Sequence, residues 1–225
     1  FQSVDGFPAL LSDPWLNGRL TALHASSDLW AMGVNVSSAQ AVITVPKVSS
    51  KVQQELLAQS LSGINSALEE QGARLLGGHT IEARSNSSDP STFGIQITIS
   101  INGFLPEGLS PFTKGGLQYG DQILISRELG SGVCFAAERV GQCSPKDLDE
   151  VVEKLDQSQH ILVESLREVQ SFNTEKQTIH ACTDITGFGL LGHLEEMLTS
   201  TNLQRRSNGQ DLLKIILQAD LIPSF

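Results

Sequence analysis

The sequence predicts an α/β to α+β protein built in two parts, and three observations carry that expectation. From Phe1 to about Leu105, short β-branched runs alternate with stretches whose apolar residues recur at helical spacing. Next, LPEGLSPFTKGGLQYG, Leu105 to Gly120, is rich in proline and glycine and reads as a linker between subdomains. Finally, 225 residues with 40% apolar content suffice for one large core or two ordinary ones. The expected division is 1–108 and 109–225.

Taken in order, FQSVD is β-prone and predicts a first strand that Asp5 closes. Asp13 followed by Pro14 is a helix start, and Leu16, Leu20, Leu23 and Ala31 supply the buried side of the helix, which puts Asp28 near its C-terminal end. AQAVITVP, Ala39 to Pro46, predicts a strand. Val48 to Gln71 carries Leu57, Leu61, Ile64 and Leu68 at helical intervals. ARLLGG reads as a strand or strand end, with GGHT as the turn after it, and Arg84 to Ser91 as a polar mobile loop. The strict alternation Phe93, Ile95, Ile97, Ile99, Ile101 predicts a long strand with one buried face. Beyond the linker, DQILIS, TIHACTDI and LLKIILQ read as strands, and VCFAAERV, Pro145 to Phe172 and GFGLLGHLEEMLTS as helices.

Charge narrows the partners. A formal net charge of −10 opposes an electrostatic grip on nucleic acid, which needs clustered Lys and Arg to displace counterions. No apolar run approaches the roughly 18 residues that span a bilayer, so no membrane partner is expected. Three cysteines, Cys134, Cys143 and Cys182, have no metal-ligand spacing and suit reduced thiols in the cytoplasm. The chain opens on FQSVD without a methionine, so the natural protein is expected to continue upstream.

The residues that could carry chemistry are carboxylates and glycine-rich turns. Asp5, Asp28 and Asp184 are placed at element ends, where they could converge on a hard cation such as Mg2+ or serve as caps and turn residues. GGHT and DITGFGLLG expose backbone N–H groups where a phosphate could sit, while ELGSG reads as a plain helix start. None has P-loop or dinucleotide-fold spacing. His79 stands open between a turn role and a binding role, and His24 and His193 suit packing. No zinc pattern and no activated nucleophile motif occurs.

In sequence order, SVDGFPALLSDPWLNGRL, SSDLWAMG, LLGGHT, YGDQILISRELGSGV and CTDITGFGLLGHLEEM are similar to motifs of selenophosphate synthetase (selenide, water dikinase), in the superfamily that includes aminoimidazole ribonucleotide synthetase. The last of these is the most specific. The resemblance implies an N-terminal domain that dimerises through its strands, a C-terminal α+β domain, and ATP bound between them. It implies conversion of ATP, selenide and water to selenophosphate, AMP and phosphate. Residue by residue, Asp5 resembles an ATP-site acid; Asp28 and Asp184 resemble Mg2+ ligands, with Asp28 also at the nucleotide. Gly77, Gly78 and His79 resemble the segment that reaches the nucleotide from the partner subunit.

The departures qualify this. The resemblance puts the family's catalytic Cys and Lys upstream of Phe1 and a further glycine-rich segment past Phe225, so no catalytic residue is expected within the chain, which alone should not turn over. Gly6, Asn17, Val34, Glu82 and Arg127 stand where the family commonly carries other residues. QSVDGF and GGHTIEA are similar to selenophosphate-synthetase-like domains fused behind an NADH-dehydrogenase-like flavoprotein domain. Two rivals therefore accompany the leading reading: a non-catalytic nucleotide-binding and dimerisation module of a redox fusion, and a superfamily enzyme acting on another acceptor.

Overall fold

The structure, a computed structural model, describes residues 1–83, 94–172 and 178–225, with the Phe172 side chain excluded. The loop expected over Arg84 to Ser91, and Phe93 of the alternating run, lie outside the described residues. The chain forms two units, one comprising Phe1–Ser110 with Asp156–Val163, the other Pro111–Leu155 with Glu164–Phe225.

In the first unit, strand β1 (Gln2–Pro8) leads to helix α1 (Pro14–Ala31), then β2 (Asn35–Val45), α2 (Ser50–Glu70), β3 (Arg74–Glu82) and β4 (Gln96–Phe104). The sheet order is β1-β4-β2-β3. β2 pairs parallel with β3, while β4 pairs antiparallel with both β1 and β2. The alternation read from Ile95 onward sends Ile95, Ile97, Ile99 and Ile101 into the core, each at most 1% exposed. They meet Ala39, Ala41, Ile43 and Val45 of β2 and the apolar faces of the two helices.

The Asp-Pro start of α1 works as its chemistry suggests: the Asp13 carboxylate accepts the Leu16 N–H at 3.0 Å, and Pro14 occupies the first turn. Buried Asn17 pins the approach to this helix. Its side chain accepts the Leu10 and Leu11 N–H groups and donates to the Leu11 and Asp13 carbonyls. A buried amide with all these partners is stabilising; stripped of them it would not be. The two helices touch backbone to backbone: a Cβ on Gly18 would collide with the Ser60 carbonyl, and one on Gly63 with the Trp15 carbonyl.

The second unit carries helix α3 (Ser131–Arg139), most of α4 (Pro145–Asp156) and α5 (His160–Phe172), and α6 (Gly189–Ser207), followed by a 3-10 turn at Ala219–Leu221, while Asp156 and residues 160–163 count with the first unit. The single long helix expected from Pro145 to Phe172 is two. At the end of α4, where the last carbonyls have no intrahelical partner, Arg19 donates to both the Asp156 carboxylate and its backbone carbonyl. Ser158 then receives the His160 N–H at 3.4 Å as α5 begins. The three strands expected at DQILIS, TIHACTDI and LLKIILQ are also absent: among the described residues the unit's one bridge joins Leu129 to Ser224. An alternating pattern fits a segment for pairing but does not supply a partner, and Leu124 and Ile216 are 92% and 88% exposed.

Candidate functional site

The acids of the first unit are set by a match between strand and helix periods. Alternate residues of β1, namely Ser3, Asp5 and Phe7, are the half-buried ones, and His24 and Asp28 lie one turn apart on α1. The result is a ladder. The Ser3 hydroxyl donates to the Asp28 carboxylate at 2.5 Å, and two residues along the strand Asp5 meets His24 Nε2 at 2.9 Å. Phe7 completes it with an edge-on contact to the His24 ring, centroids 5.2 Å apart. The other Asp5 oxygen accepts the Gly6 N–H. Asp5 therefore lies in the middle of a strand rather than closing one, and His24 is a partner of that acid rather than a packing residue. The signal for this pairing was the joint i, i+2 and i, i+4 spacing, which only an assignment of β1 against α1 could reveal.

GGHT is strand, not turn or loop. Gly77, Gly78, His79 and Thr80 continue β3, with Gly77 opposite Gln40, Gly78 opposite Ala41 and His79 opposite Val42. Gly78 allows the approach, because a Cβ there would collide with the Ala41 carbonyl. The extended backbone keeps its ladder past the glycines through a register shift at Ala39/Gln40. β1 and β3 lie at opposite edges of the sheet, some three strand spacings or about 14 Å apart. Within one chain, then, His79 is not brought to Asp5 and Asp28. By register, His79 lies on the same face as Val42, the face away from the core.

Asp184 belongs to the second unit and ends no strand: residues 179–186 are irregular and lead into α6. It is half-buried, and the Cys182 thiol nearby is pushed up, first by burial and then by the Asp184 carboxylate. His193 is 6% exposed on α6, its Nε2 receiving the Thr186 N–H at 3.1 Å. Sequence reasoning missed a further pair here, Asp121 with His180 at 2.7 Å, in which Asp121 also accepts the Gln118 N–H. The Gly120-Asp121 pair in YGDQILIS was its only trace.

Among the described residues no group of three or more His, Cys, Asp or Glu could by itself hold a metal ion. That disfavours a protein-only cage of the zinc or calcium kind there. It does not oppose Mg2+, which takes one or two carboxylates and completes its octahedron with water and phosphate oxygens. As oxygen donors, Asp28 and Asp184 each have the chemistry of a single ligand to such an ion.

Residues 1–103 match the domain family described as AIR synthase related protein, N-terminal domain, and residues 118–208 match its C-terminal domain. The chain belongs to the AIR synthase related family. Among curated relatives, this family member is 31% identical over 207 residues to the selenide, water dikinase of Pelobacter propionicus, covering 89% of this chain and 52% of the relative. It is 33% identical over 202 residues to that of Porphyromonas gingivalis, covering 89% and 52%. The chain thus spans about half the length of the curated relatives it matches.

Solved structures extend the family fold. Thiamine-monophosphate kinase from Stenotrophomonas maltophilia superposes with a TM-score of 0.69 at 19% identity, covering 90% of this chain and 60% of that one. The E. coli hydrogenase maturation protein HypE gives 0.67 at 16%, covering 89% and 57%. A HypE structure in complex with ATP gives 0.66 at 19%, covering 95% and 64%. At these identities the likeness concerns the fold. No helix among the described residues is long and apolar enough to cross a membrane.

Proposed function

We propose that this chain supplies part of the ATP and Mg2+ site of a selenide, water dikinase, an enzyme that makes selenophosphate, AMP and phosphate from ATP, selenide and water. The observation that carries the reading is the similarity to selenide, water dikinases along about nine-tenths of the chain, within which the family-matched stretches 1–103 and 118–208 contain Asp5, Asp28 and Asp184. Phosphoryl transfer asks a protein mainly to position charged groups and neutralise the developing charge. Asp28, oriented by Ser3, and Asp184 would each serve as a ligand of Mg2+ ions, which when bound neutralise phosphate charge. Asp5, oriented by His24, would lie at the nucleotide. The proposed division into an ATP-binding and dimerisation part, 1–108, and a C-terminal part, 109–225, follows the same reading.

The uncovered face of the sheet supports a homodimer. It carries Val4, Val42 and Ile81, all at least 39% exposed, with His79 beside Val42. A second copy packed there would cover this apolar surface and bring Gly77, Gly78 and His79 to a neighbour's nucleotide, which their remoteness from Asp5 within one chain favours. A cytoplasmic setting suits the three free thiols.

The deciding assay is AMP release from Mg-ATP by the intact protein, with and without selenide. Selenide-dependent AMP is expected; selenide-independent release or ADP as product would overturn the assignment. A second reading, an ATP-dependent enzyme with another acceptor, is favoured by the fold shared with thiamine-monophosphate kinase and HypE, and ADP formation without selenide would support it. The flavoprotein-fused, non-catalytic module predicts nucleotide binding without turnover.

A further inference from the structure

We propose that His193 is a positioning residue for the loop that carries Asp184, acting through the backbone of Thr186. The sequence suggested a packing histidine, and its burial is that of one. Its hydrogen bonding says more. A backbone N–H can only donate, so the Thr186 N–H at 3.1 Å requires a lone pair on Nε2 and leaves the proton of the neutral ring on Nδ1. Nδ1 is buried and has no partner among the described residues. Leaving a donor unmade in a buried site is unfavourable, and an apolar side chain of similar size would avoid it. The imidazole is accounted for by the bond it accepts, not by the space it fills.

That bond ties down backbone that has no regular ladder of its own. Residues 179–186 belong to neither strand nor helix. Two hydrogen bonds bracket Asp184: upstream the Cys182 N–H donates to the Thr113 carbonyl at 2.9 Å, and downstream the Thr186 N–H donates to His193. The Thr186 hydroxyl is 3.3 Å from the same nitrogen, and the Phe188 ring meets the imidazole edge-on at 6.2 Å. His193 thus fixes the loop two residues beyond the carboxylate, through the Thr186 backbone.

The functional half of this inference rests on Asp184 as a metal ligand; the structural half does not. The test uses the intact protein as wild type, His193→Leu, His193→Gln and Asp184→Asn, with two readouts: amide exchange at Thr186 and calorimetric affinity for Mg-ATP. Leu keeps the packing and loses the acceptor; exchange at Thr186 should rise roughly tenfold, the scale of one lost hydrogen bond, and Mg-ATP affinity should fall several-fold. Gln, whose Oε1 can accept the same N–H, should restore both. Wild-type exchange in the Leu variant, or a Gln variant that behaves like Leu, overturns the proposal. Unchanged affinity in Asp184→Asn would instead refute the metal reading, and the exchange data would still decide the role of His193.

Discussion

The two units hold their acids by different means. In the first, Asp5 and Asp28 sit on a strand paired along its length with β4 and on a regular helix, and the partners Ser3 and His24 only trim orientation. In the second, Asp184 sits on irregular backbone, bracketed by the Cys182 and Thr186 hydrogen bonds. An acid on regular structure should tolerate loss of a neighbour. An acid on a loop should depend on each contact that ties the loop down.

The strongest way to break the first arrangement is at the helix contact behind it. Gly63→Ala in an exposed helix would be stabilising by about 1 kcal/mol on propensity alone. Here the added methyl meets the Trp15 carbonyl, so a loss of about 3 kcal/mol or more is expected from forced separation of the helices. Urea melts report it, and a stabilised variant would contradict the close approach. Asn17→Ala comes next: removing a buried side chain that serves four backbone groups should cost about 2–4 kcal/mol, since each orphaned group loses its partner.

Function separates the units more sharply than stability does. Asp28→Asn and Asp184→Asn should each weaken Mg-ATP binding by about tenfold or more, the range found even for groups that only support a ligand, with little change in melting. Ser3→Ala should weaken it less than His193→Leu does, because α1 holds Asp28 without help; equal effects would erase the contrast between helix and loop. The smallest effect belongs to the exposed pair Lys114 and Glu196: Lys114→Ala should shift stability by no more than about 0.5 kcal/mol and less still in high salt.

Local chemistry was enough for much of the fold. Asp13-Pro14 starts α1 because capping and a preset φ act within one turn, and the Ile95 to Ile101 alternation yields a half-buried strand in any sheet that covers one face. The candidate acids were legible as residues, through motif order, but not as a constellation. Nothing in VDGF and TALHASSD says that Asp5 and His24 meet, because that requires β1 and α1 to pack in one register.

What the sequence determined by itself was therefore the set of elements in the first unit, the acidic character that disfavours nucleic acid, and membership of the AIR synthase related family. Tertiary structure decided the rest wherever a group's partner is distant in sequence. Arg19 holds the end of α4 at Asp156, a contact that no helical pattern between Pro145 and Phe172 records. β2 provides the edge that makes GGHT a strand, while DQILIS and LLKIILQ, with equal β character, find no such edge among the described residues. The physical reason is the same each time: periodicity states what a segment can bury or pair, and only the folded chain supplies what it is buried or paired against.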